Sequence, residues 1–106
     1  MKKSLPYVRD NQKFFLKEHS WIARLAARRL KAANMAIVLG HTIHLWNVNP
    51  DTFLKNERWV RHELCHVRQY DEYGFFSFIC KYLYQSIRYG YTNNKFEVEA
   101  RKAESA

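Results

Sequence analysis

The sequence predicts an α+β fold that is mostly helical, with a short strand or hairpin ahead of a central helix and a glutamate-bearing helix at the C-terminal end. Three observations lead there. Apolar residues recur at helical spacing through most of the 106 residues. The stretch "MAIVLGHTIHLW" at 35–46 is instead rich in strand formers and is interrupted by Gly40. Hydrophobic residues make up 47% of the chain, with seven Tyr, seven Phe and three Trp, which is enough for one modest core.

Residues 1–10 read as a flexible lead-in and residues 11–106 as one domain. Over 11–33 a helix is expected, with Phe14, Trp21, Ile22, Leu25, Ala26 and Ala33 on an apolar side and Lys13, Lys17, Arg24, Arg28 and Lys31 opposite. Residues 35–46 give two short strands, or one strand with a bulge at Gly40. Asn47, Asn49, Pro50 and Asp51 form a turn, and Asp51 is placed to cap a short helical turn through Phe53 and Leu54. The next helix covers about 56–73 and buries Trp59, Val60, Leu64, Val67 and Tyr70, with Gly74 ending it. A helix over about 75–88 presents Phe75, Phe78, Ile79, Tyr82, Leu83 and Ile87. After "GYTNN", Asn94 caps a last helix, with Glu97 at the capping-box position.

The formal net charge of +8 permits nucleic acid, an anionic membrane surface or an acidic partner. The basic side of the first helix reads first as a solvated face and permits peripheral contact with an anionic membrane; a basic binding protein for nucleic acid or membrane ranks last among the readings, because the aromatics fall at core spacings and not as a stacking platform. Two cysteines, Cys65 and Cys80, imply no framework of bridges and read as core thiols. No leader-like or membrane-spanning run is evident, which points to the cytoplasm.

The chemistry centres on "RHELCHVRQ", which starts at Arg61. His62, Glu63 and His66 form H-E-x-x-H. Residues four apart share a helix face, so the two imidazoles can hold one ion while Glu63 reaches its water as general base. A catalytic zinc ordinarily takes three protein ligands and a water. The third could be His19, His41 or His44, or a carboxylate among Asp71, Glu72, Glu97, Glu99 and Glu104. Glu97 is favoured: it opens a helix, where a loop can aim it, and the small Ala100 lets that helix approach closely.

The stretch "GHTIHLWN…ERWVRHELCHVRQY…FEVEA", over roughly 37–104, resembles the zincin metallopeptidases of the glutamate-ligand, gluzincin-like branch, and a small bacterial zincin-like domain among them. The resemblance implies a minimal zincin-like fold, bound Zn2+ on His62, His66 and Glu97, and hydrolysis of peptide bonds with Glu63 as base. It implies a protein or peptide substrate paired to an exposed edge strand formed by His41, Thr42, Ile43, His44 and Leu45. It also implies an oxyanion donor, for which Tyr91, in the loop before Glu97, is placed ahead of Tyr84, Tyr89 and Arg88. One departure stands out. The family often has aspartate directly after the alanine as a support for a ligating histidine, whereas this chain has Arg101; Glu104, Asn94, Asp71 or a carbonyl is left to serve. The alternative is a non-catalytic zinc-binding module that is structural or binds a protein partner.

Overall fold

The computed structural model describes residues 6–105. Among these, four strands and five helices run in the order β1 (Tyr7–Arg9), β2 (Gln12–Lys17), α1 (Trp21–Leu30), β3 (Met35–Leu39), β4 (Thr42–Trp46), α2 (Pro50–Lys55), α3 (Glu57–Tyr73), α4 (Phe75–Tyr89) and α5 (Lys95–Ala103). The mixed, mostly helical α+β class expected from the sequence is what the chain forms, with 57% of the described residues helical. It divides into two compact units at Asn56/Glu57.

The first unit is a four-stranded sheet in the order β1-β2-β4-β3, with α1 packed on β3 and β4. Here the sequence expectation fails in its first third. Residues 12–17 are a strand, not the start of a helix, and the expected lead-in contributes β1; its residues 1–5 lie outside the described residues. The cause is local. Asp10 and Asn11 both take positive φ, the backbone of a two-residue hairpin turn, and pair Arg9 with Gln12. Phe14 and Leu16 then alternate into the core, and Phe14 stacks on Tyr7 at 5.7 Å between centroids. The helix begins only at Trp21, where Ser20 caps it by accepting from the Ala23 N–H, and it ends at Lys31 in left-handed conformation. It buries Ala23 and Ala27. Trp21 and Leu25, expected in the apolar stripe, are exposed.

The hairpin over 35–46 closes on Gly40–His41, with Leu39 opposite Thr42. Gly40 sits at φ 64°, which glycine accepts without strain. β4 pairs in parallel with β2 and antiparallel with β3. It is therefore an interior strand with both sides occupied. The expectation that His41–Leu45 offers an exposed edge to substrate is corrected on this point. His44 is buried in the sheet with its Nδ1 2.8 Å from Ser20 Oγ. At α2 the cap is Asn49, whose Oδ1 accepts from the Thr52 N–H at 2.7 Å, and not Asp51.

The second unit packs α3 against α4 and α5. Its interior is aromatic: Phe78 meets Tyr70 at 4.5 Å and Phe96 at 5.0 Å between centroids. Gly74 at φ 85° turns the chain between α3 and α4 and donates to the Tyr70 carbonyl at 2.8 Å. Of the residues expected to make a buried face on α4, only Phe78 is fully enclosed; Leu83 and Ile87 are exposed. Cys65 is buried as expected, while Cys80 is exposed. No helix among the described residues is long and apolar enough to cross a membrane.

Candidate metal centre

The site lies wholly within the second unit and is built from α3, α4 and α5. His62 and His66 project from one face of α3, their rings edge to face at 5.2 Å between centroids. Glu97, in the first turn of α5, lies across from them. His62 Nε2 is 3.0 Å from Glu97 Oε1 and His66 Nε2 is 3.2 Å from Glu97 Oε2. The three side chains offer donor atoms that all lie within 4.8 Å of one another, a group that could hold a metal ion. Asn94 caps α5 as expected, its Oδ1 accepting from the Phe96 N–H at 2.9 Å. Glu97 is turned to the histidines and the Tyr82 hydroxyl. Ala100, fully buried one turn on, lets α5 lie close to α3.

The outer nitrogens of both rings are committed. His62 Nδ1 donates to Glu104 Oε2 at 2.8 Å, and His66 Nδ1 donates to Gln69 Oε1 at 2.8 Å. With Nδ1 carrying hydrogen, the neutral form of each ring has its lone pair on Nε2, facing Glu97. That is the arrangement a ligating histidine needs. Glu104 is held in turn by Arg58 at 3.4 Å, and its carbonyl by Arg61 at 3.2 Å. Gln69 is fully buried, and its amide donates to Glu99 Oε1 at 2.8 Å and to the Phe96 carbonyl at 3.2 Å. One side chain thus orients His66 and fixes the backbone next to Glu97. Arg101, where aspartate was expected, donates to the Thr92 carbonyl, and Glu104 provides the acceptor one turn later.

Electrostatics follow from this crowding. Burial disfavours charge on His62, yet Glu97, Glu63 and Glu104 outweigh it and raise the ring to about 9. His66 is raised against the same burial, by Glu97 and Glu63. Burial likewise works against ionised Glu97, but the two imidazoles and the Tyr82 hydroxyl hold its carboxyl well below the usual range. Glu63 is enclosed, and burial pushes it up to about 7; the two histidines and a hydrogen bond from Trp59 oppose this, while Glu97 adds to it.

Tyr91 lies in the turn before α5, with its hydroxyl pushed up to about 12 by burial and by the Glu97 and Glu63 carboxylates. Tyr82, on α4, donates to Glu97 Oε2 and is raised further, by burial and then Glu97. Sequence reading assigned Tyr82 only to packing; nothing in the spacing links it to a carboxylate 15 positions away. Gln69 falls within the stretch that carries the resemblance, and its place three residues after His66 puts it on the same helix face. His41 and His44 belong to the first unit, where His44 faces Ser20. Compared with family models, with curated proteins and with solved structures, the chain gave no match.

Proposed function

We propose that the chain is a minimal zinc-dependent peptidase of the zincin type, with zinc held by His62, His66 and Glu97. The observation that carries the reading is the convergence of His62 Nε2, His66 Nε2 and the Glu97 carboxylate beside a buried Glu63. Two imidazole nitrogens and one carboxylate oxygen make a donor set that suits zinc and leaves a fourth position for water. A zinc ion bound there would lower the pKa of its water toward about 7 and polarise a substrate carbonyl.

Glu63 is matched to that task. Burial raises its carboxyl above the ordinary carboxylate range in the metal-free protein, and a more basic carboxylate is a better proton acceptor from water. It takes the proton as the water oxygen bonds to the peptide carbonyl carbon. It then delivers the proton to the amine nitrogen as the C–N bond breaks. Tyr91 keeps its proton at neutral pH and can donate a hydrogen bond to the oxygen that gains charge. Glu104 and Gln69 hold the two rings in the tautomer that leaves Nε2 available. Tyr82 steadies Glu97 by occupying its Oε2.

The test is elemental analysis of the purified protein together with peptide hydrolysis by the wild type and by Glu63→Gln. The reading expects one zinc per chain in both and cleavage only in the wild type. Zinc without cleavage in the wild type would assign the chain to the alternative, a non-catalytic zinc module. A chain that takes up no zinc overturns both.

A further inference from the structure

A different part of the molecule carries an independent inference. α1 has no acidic residue, and its small side, Ala23 and Ala27, is the one that packs on the sheet. This leaves the larger apolar residues outward. Trp21 is 69% exposed and Leu25, one turn on, is 50% exposed. Arg28 continues the same row, Arg24 flanks it on one side and Arg29 on the other. The Arg24 guanidinium sits over the Trp46 ring, 5.3 Å from its centroid, which fixes its position.

We infer that this outward face of α1 docks on an anionic lipid bilayer. Three features select that occupant. Tryptophan settles at the level of lipid headgroups, with its ring body in apolar surroundings and its N–H in water. Leu25 gains from hydrocarbon and has nothing to offer a phosphate or a base edge, which argues against nucleic acid. The arginines complement anionic headgroups, and the whole chain carries +8; a second copy of the same face would bring like charges together. The helix lies along the surface, with Trp21 and Leu25 at the boundary of headgroups and acyl chains and the arginines among the phosphates. The inference does not depend on the metal centre.

The experiment is co-sedimentation of the full chain with vesicles of phosphatidylcholine alone or mixed with phosphatidylglycerol, at low and high salt, with a short DNA duplex as competitor. Binding to the anionic vesicles only, weakening as salt rises, is expected. Arg28→Gln with Arg29→Gln should weaken it by about fivefold per charge removed. Trp21→Ala with Leu25→Ala should reduce it by at least about tenfold, with an unchanged melting temperature because both side chains are exposed. Failure to bind anionic vesicles overturns the inference. So does binding that the Trp21/Leu25 variant leaves intact, or binding to DNA that is equally sensitive to that variant.

Discussion

Two histidines in this protein are equally buried and behave oppositely. His44 in the sheet is 8% exposed and His66 in the second unit is 7% exposed. Burial alone should lower both. It does lower His44, where Lys17 adds to the effect and the partner is a neutral hydroxyl. The neutral imidazole shares a hydrogen bond between its Nδ1 and Ser20 Oγ, and the same oxygen caps α1. His66 is raised instead, because Glu97 and Glu63 face it. The comparison teaches that depth alone does not set a ring's charge state; the groups gathered around the ring do. One histidine is a structural joint, and the other belongs to the His62, His66 and Glu97 group that could hold a metal ion.

The sharpest way to break that comparison is to remove Glu97. Glu97→Ala should abolish zinc uptake, and by removing the main group that raises His62 and His66 it should let burial lower both rings and destabilise the metal-free protein. Glu97→Gln separates the two effects, since it keeps the volume and a hydrogen-bonding oxygen; elemental analysis of both variants is the check. Next in size is Glu63→Gln, expected to cut peptide hydrolysis by about 10²–10⁴-fold while zinc stays in place. Removing support without touching a ligand should do less. Glu104→Ala is expected to weaken zinc binding by about 10–100-fold in chelator competition, and Glu104→Gln, which keeps an acceptor, by a smaller factor. His44→Ala should cost about 1–3 kcal/mol on thermal melting and leave zinc affinity unchanged.

Titration sharpens the contrast further. His62 rises from an ordinary value near 6.5 to about 9, so its ion pairs contribute fully below about 6.5 and are lost as pH climbs through about 9. The metal-free second unit should therefore lose stability across that window. Zinc affinity should rise across the same window, because ligation needs neutral rings. His44, lowered, contributes fully above its ordinary value near 6.5 and loses that contribution as pH falls below it. NMR titration of the ring protons, with and without zinc, resolves the opposite movements.

Much of the second unit was legible in the sequence because its signals are short in range. H-E-x-x-H fixes its own geometry once a helix forms, and Asn94 followed by Glu97 marks a helix start without any knowledge of what lies opposite. The first unit was misread where short-range signals conflict. "QKFFLK" fits a helix by propensity, and the Asp10–Asn11 turn that makes it a strand stabilises only a hairpin with something to pack on.

By itself the sequence determined the helix–strand class, the faces of α3 and the positions of His62, Glu63 and His66, since each follows from backbone periodicity. Only the tertiary structure decided that β4 lies inside the sheet, that Trp21 faces outward, and that Glu97, Glu104, Gln69 and Tyr82 converge on two imidazoles. The physical reason is the same in every case. Strand order and helix packing are set by contacts between residues far apart in the chain, and the fixed period of a helix or strand carries no record of its partner.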